Sequence, residues 1–236
     1  MVRTLLVGLL LVGAGCPGPK VEPAAAATAE VPLEGGWFLL DTPLGPPSAR
    51  LVLGDGTAQL LTLDGGQLDF NTSPEGRGLE LRGPYNVLLA DRTDQGGLIV
   101  YTASGATSYA YPIIPLDPAF LGEWRLRDPA LPAGRTLRVL KGSGGADKLV
   151  ADGRTFDLWA VRRPEGLAFV VLPPGADGPA QGVLWQLHGI DDGWLVTGPQ
   201  PGKAHVLMRP DGGPVWVGAD TGDVPEGPNP WLPAVE

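Results

Sequence analysis

The side chains able to do chemistry are few in this chain. Its two histidines, His188 and His205, lie in strand-like stretches, and Asp147, Asp177, Asp191 and Asp192 are spread among Gly-rich turns. A zinc site takes at least three protein ligands in a close tetrahedron, and two separated histidines do not supply them. The aspartates lack the regular loop spacing of a calcium site, and Asp-Gly turns account for them. Asp220-Thr221-Gly222 carries a carboxylate of the kind that works in pairs sharing one proton. It occurs once, and Asp41-Thr42-Pro43 is no second copy. Ser143 sits in Lys141-Gly142-Ser143-Gly144-Gly145, which lacks the Gly-x-Ser-x-Gly frame and the strand-to-helix elbow of a serine nucleophile. The sequence therefore predicts no catalytic residue, no metal site and no cofactor. What remains is aromatic: Trp159, Trp185 and Trp194 cluster in the second half, with Tyr85, Tyr101, Tyr109 and Tyr111 in the first. An aromatic row on a β-face would bind a glycan or a partner protein, so the three tryptophans form a candidate binding surface. Core packing is the competing reading.

Cys16, the only cysteine, carries the strongest functional signal. Met1-Val2-Arg3 is a positive start, Leu5 to Val12 is a short apolar run, and Gly13-Ala14-Gly15 supplies small residues before the cysteine. That run is too short to span a bilayer, which takes about 20 residues. The pattern resembles the signal peptide and lipobox of bacterial lipoproteins. Ala14, Gly15 and Cys16 match its last three positions, while Gly13 stands where Leu is expected and Val12 falls one place early. The resemblance implies removal of residues 1–15 and a Cys16 acylated at the new N-terminus. Multiple acyl chains hold a protein firmly to a membrane where a single one does not. The expected location is the cell envelope, lipid-anchored at the outer membrane, with an envelope protein or glycan as partner.

Loss of Arg3 takes the formal charge from −9 to −10. An acidic surface of this kind argues against nucleic acid as a partner. With no second cysteine, no disulfide stabilises the chain, and it must build an apolar core.

Residues 17–34 are rich in Pro, Ala and Glu without apolar periodicity, which predicts a solvated tether of residues 16–34. Beyond it, short apolar runs alternate with Asp55-Gly56, Asp64-Gly65-Gly66, Pro74-Glu75-Gly76 and Ser104-Gly105. Asp-Gly between apolar runs favours tight β-hairpins, because glycine accepts the positive φ these turns need. No window reads as a capped helix. The same pattern recurs. Gly35-x-Trp37-x-Leu39-x-Asp41 returns as Gly122-x-Trp124-x-Leu126-x-Asp128, at an offset of 87. Asp64-Gly65-x-x-Leu68-Asp69-Phe70 returns as Asp152-Gly153-x-x-Phe156-Asp157-Leu158 at 88, and Asp94-x-Gly96-x-Leu98 as Asp191-x-Gly193-x-Leu195 at 97. Superposed halves should place Trp37 on Trp124 and Asp69 on Asp157.

The fold class expected is all-β: two tandem, related antiparallel meanders over residues 35–116 and 121–210, each a small barrel or sandwich. A four-bladed propeller is the alternative. Residues 211–236, acidic and Pro-rich, are expected to form a tail. The Gly-x-Trp pairs resemble the lipocalin signature, in which the Trp closes the barrel base, and Arg209 would be the cation stacked on Trp124. The functional expectation is a non-enzymatic binding or structural module of the envelope. A lipocalin-like carrier of a small apolar ligand is the alternative.

Overall fold

The computed structural model describes residues 33–42, 45–62, 64–128, 131–143, 145–174, 176, 182–190, 193–198, 204–210 and 232. Cys16, residues 17–32 of the tether, Asp177, Asp191, Asp192 and the Asp220 triplet lie outside them; Leu33, expected in the tether, instead packs against the first core.

The first half folds as β1 (Gly35–Leu40), β2 (Pro47–Leu53), β3 (Thr57–Leu61), β4 (Gln67–Glu75), β5 (Gly78–Arg82), β6 (Val87–Arg92), β7 (Leu98–Thr102) and β8 (Thr107–Ile114). Each strand pairs antiparallel with the next, and β1 pairs with β8, closing an eight-stranded barrel. A 3₁₀ turn, Pro118–Phe120, leads into the second half. There β9 (Gly122–Asp128), β10 (Leu131–Leu140), β11 (Asp147–Ala151), β12 (Arg154–Arg163), β13 (Gly166–Leu172), β14 (Val183–Ile190), β15 (Gly193–Thr197) and β16 (Ala204–Met208) close through β16–β9 pairing. The chain is all-β, with two tandem meander barrels rather than a propeller. Closure leaves neither meander with an unpaired edge of its own.

Period-two alternation decides which side chains fill each barrel. In the first, Trp37, Leu39, Leu51, Leu53, Phe70, Leu81, Leu98 and Val100 share one core. In the second, Trp124, Leu126, Leu137, Leu149, Phe156, Phe169, Trp185 and Val196 do the same. The β11–β12 hairpin is a two-residue turn with Asp152 at φ 51° and Gly153 at φ 73°, as a type I′ turn requires.

Trp37 and Trp124 are equivalent down to their hydrogen bonds. The Trp37 indole donates to the Leu33 carbonyl at 3.0 Å, and the Trp124 indole donates to the Phe120 carbonyl at 2.7 Å. Gly35 and Gly122 both hold positive φ, 124° and 109°, which explains the glycine of each Gly-x-Trp. The other two expected matches shift. Across the ladders Trp37 faces Leu51, then Leu60, then Leu68, whereas Trp124 faces Leu137, then Ala151, then Arg154. Leu68 therefore corresponds to Arg154, and Asp157 corresponds to Asn71 rather than to Asp69. The β3–β4 connection is longer than the two-residue β11–β12 turn, and aligning the Asp-Gly pairs hid that difference. The match of Leu98 to Leu195 also fails. Leu98 is buried inside its barrel, while Trp194 and Val196 pack in theirs and leave Leu195 on the opposite face. A one-residue slip reverses the face.

The barrels are joined as one sheet. β8 runs past its own barrel and pairs with β12, Ile113 facing Val161 and Ile114 facing Ala160. Around this joint the outer faces of β1 and β8 (Phe38, Leu40, Tyr111) pack on those of β12, β13 and β14 (Val161, Ala168, Val170, Leu172, Leu184). Gly36 gives Ile113 room: a Cβ there would lie 2.8 Å from the Ile113 Cδ1. Arg163 is buried in this joint, donates to the Gln186 side chain at 2.8 Å and lies over the Tyr111 ring at 5.0 Å. Burial holds the Tyr111 phenol above its usual range, and the adjacent Arg163 charge offsets part of that rise. Arg50 of β2 reaches across to the Trp159 ring, 5.2 Å from its centroid, and burial lowers its affinity for the proton.

Candidate functional site

The three tryptophans expected to form an aromatic surface do not share a face. Trp185 is 1 % exposed and fills the second barrel. Trp194 is half-buried in the same core, its ring 5.1 Å from that of Phe120. Trp159 points the other way, into the joint, where it meets the edge of Phe38 at 6.1 Å. Alternation separates them: Trp159 is on the outward side of β12, Trp185 and Trp194 on the inward sides of β14 and β15. Core packing and barrel docking replace the binding surface.

The histidines also part. Leu187 faces Val196, which faces His205, and the first two fill the core, so His205 shares their inward face. His188 is on the other face and exposed. Among the described residues no group of three or more His, Cys, Asp or Glu side chains is close enough to hold a metal. Ser143 belongs to a loop tied at its ends: Asp147 accepts from the Gly142 amide at 3.0 Å and pairs with Lys141 at 3.0 Å. Asp147 thus pins a turn.

At the end of the second barrel Arg209 and Trp124 meet. The Arg209 guanidinium sits 4.0 Å above the Trp124 ring and donates to the carbonyls of Leu121 at 3.0 Å and Glu123 at 3.3 Å, and to that of Ala119. The cation thus ties the end of β16 to the turn before β9. The first barrel has no such tie at the equivalent point, because Pro112 faces Trp37 there and the strand continues into the joint.

The candidate site is a hollow of about 730 Å³ on the first barrel, bordered by β2, β3, β4 and β5. Val52, Thr57, Gln59, Asp69, Asn71 and Arg82 line it, and all six alternate with residues of the core or with their neighbours, placing them outward. Ala58 and Phe70 of the first core line it as well, so it reaches from the outer face to the core. Its borders arise because β4 runs past the β2–β3 turn, where the Thr72 amide donates to the Gly56 carbonyl at 2.9 Å. Gly83 and Pro84 of the β5–β6 turn form the remaining rim, and Tyr85 beside them is 98 % exposed. Inside, Asp69 accepts from Gln59 at 3.2 Å and from Gln67 at 3.1 Å, while Arg82 pairs with Glu80 at 2.6 Å. Amides, one carboxylate and one guanidinium beside an exposed ring can exchange hydrogen bonds with a hydroxyl- or amide-rich ligand and stack on it. In the eight-strand ring, β4 and β5 lie opposite the β1–β8 side that meets the second barrel, so the hollow faces away from the joint.

No family model, curated protein or solved structure matches the chain.

The sequence carried a faint sign of the hollow. Gln59, Asp69, Asn71 and Arg82 are the polar halves of alternating strands, but only strand neighbourhood brings them side by side. Tyr85, between Pro84 and Asn86 in a turn, was legible as exposed.

Proposed function

We propose that this chain is a lipid-anchored envelope lipoprotein whose tandem barrels act as a non-enzymatic binding module, with the outer hollow of the first barrel as the contact face. The anchor rests on Cys16 and the apolar and small residues before it. What supports the binding reading is the hollow, lined by Val52, Ala58, Phe70 and Pro84 together with the polar Gln59, Asp69, Asn71 and Arg82, with the exposed Tyr85 next in the chain to Pro84 and a wall stiffened by closure and by the joint behind it. A site on rigid strands keeps its groups in place without ordering cost on binding.

The carrier alternative has less support. Phe156, Phe169 and Trp185 occupy the second lumen, and Trp37, Phe70 and Leu81 the first. Small eight-stranded barrels can be filled entirely by their own side chains.

Two measurements test the proposal. Radiolabelled palmitate should enter the wild type but not Cys16→Ser. Sedimentation with purified peptidoglycan, and capture from solubilised envelopes, should fall at least tenfold when Asn71→Arg and Tyr85→Ala are combined. Equal retention by wild type and the double variant would remove the hollow from consideration.

A further inference from the structure

Two properties of the hollow on the first barrel, its floor and its charge, narrow the ligand it can take. The floor is the Phe70 ring, only 4 % exposed, with Ala58 and Val52 beside it. Gly83 leaves room next to that ring. A Cβ at position 83 would lie 3.1 Å from the Phe70 Cε1 and 3.2 Å from its Cδ1, tighter than ordinary contact. Such a floor suits an apolar side chain, which gains by leaving water.

Two ionisable side chains line the hollow, Asp69 and Arg82. Arg82 is engaged, because its Nε and Nη2 donate to one Glu80 oxygen at 2.9 Å and 2.6 Å. Asp69 is not neutralised. Its Oδ1 accepts from the uncharged amides of Gln59 at 3.2 Å and Gln67 at 3.1 Å, and its Oδ2 has no donor among the described residues. Arg50 lies over Trp159 at the joint and Arg77 pairs with Asp94, so neither reaches Asp69. Residues 35–116 hold eight carboxylates against four arginines, and the surrounding field therefore also favours a cation. An uncharged sugar would cover the Asp69 carboxylate without pairing it, which is costly, and an anion would be repelled. A cation next to an apolar group satisfies both the charge and the floor.

We propose that the ligand is a partner polypeptide presenting a basic–apolar pair: an aliphatic or aromatic side chain on Phe70, and a neighbouring lysine or arginine on Asp69. A polypeptide carries both groups on adjacent side chains, and its amides match Thr57 and Asn71 in the lining. Tyr85, 98 % exposed beside Pro84, offers a cation a ring face at the rim. This assignment deepens the binding reading above and rests on it.

The test screens the full chain, carrying Cys16→Ser, against displayed random dodecapeptides. Enriched sequences should place Lys or Arg next to Leu, Ile, Phe, Tyr or Trp at several-fold the library frequency. The best synthetic peptide should bind Asp69→Asn at least fivefold more weakly than the parent. With alanine in place of its basic residue, the peptide should no longer distinguish the two proteins. Gly83→Ala should weaken the original peptide at least threefold at an unchanged far-ultraviolet circular dichroism spectrum. If that spectrum is lost, Val52→Thr, isosteric and outside the buried core, should weaken it instead. Enriched peptides without a basic residue, or equal binding by Asp69→Asn, overturn the cationic ligand and leave the hollow standing. Undiminished peptide binding by the combined Asn71→Arg and Tyr85→Ala variant removes the hollow and this ligand with it. Loss of peptidoglycan sedimentation in that variant, with no peptide enriched, keeps the hollow and overturns the polypeptide in favour of a glycan.

Discussion

Phe38→Ala tests whether the two barrels form one structural unit. Phe38 is 0 % exposed, on the outward face of β1, with Trp159 of the second barrel edge-on to its ring at 6.1 Å. Truncating a fully buried Phe costs about 3–5 kcal/mol, of which the aromatic pair supplies about 0.5–1.5 kcal/mol. For a folded unit of this size each kcal/mol moves Tm by about 2–4 °C, so the expected fall is about 6–20 °C. The matching strand of the second barrel supplies a comparison. The equivalent outward residue of β9 is Arg125, half-buried beside Met208, and Arg125→Ala should cost less than Phe38→Ala. Urea unfolding followed by far-ultraviolet circular dichroism and by tryptophan fluorescence is the assay. Wild type should give coincident curves, because unfolding either barrel exposes the other's apolar outer face. A loss below about 1 kcal/mol for Phe38→Ala, or two well-separated wild-type transitions, would refute the docking argument.

Other outcomes follow from single contacts. Arg209→Ala removes the cation over Trp124 and its bonds to three carbonyls; a destabilisation of about 2–4 kcal/mol should appear in thermal unfolding. Gly153→Ala places a Cβ at φ 73° in the β11–β12 turn and should cost about 1–2 kcal/mol in the same assay. The Tyr111 phenol is held above its reference value of 10.0 by burial, so the folded state keeps that proton more tightly than the unfolded one. Its contribution is complete below about pH 10 and is lost as pH rises through the folded value. Tyr111→Phe should flatten the fall of Tm above about pH 10, and parallel curves for wild type and variant would exclude this cause.

Much of the fold was legible because its signals are local. Tight turns at Asp55-Gly56 and Asp152-Gly153, and apolar residues at every second position, dictate consecutive antiparallel pairing. Repetition of Gly-x-Trp marked the two barrel starts, and the resemblance it carries implied the pairing of Arg209 with Trp124. The joint also left a trace. Gly36, Phe38 and Leu40 stand at the outward positions of β1 where β9 has Glu123, Arg125 and Arg127. Apolar residues on the outward face of one copy, and charged ones on the other, mean that the first is covered. The tryptophans were harder to place. The run Leu167-Ala168-Phe169-Val170-Val171-Leu172 is apolar on both faces of β13, because one fills the barrel and the other meets Phe38 and Leu40. Alternation separates two faces but does not say which is inside when both are buried.

The sequence by itself determined the β-class, the order of strands, the Gly-x-Trp that opens each barrel and Cys16 as the residue expected to carry lipid. All of these depend on neighbours in the chain or on residue type. Tertiary structure alone decided that Trp185 fills a lumen while Trp159 joins two barrels. It also decided that β8 extends into a second sheet, that Gln59, Asp69, Asn71 and Arg82 meet around one hollow, and that Leu232 returns to a core formed by residues far before it. Those outcomes depend on how closed sheets stack and where their ends open, and no local period encodes that.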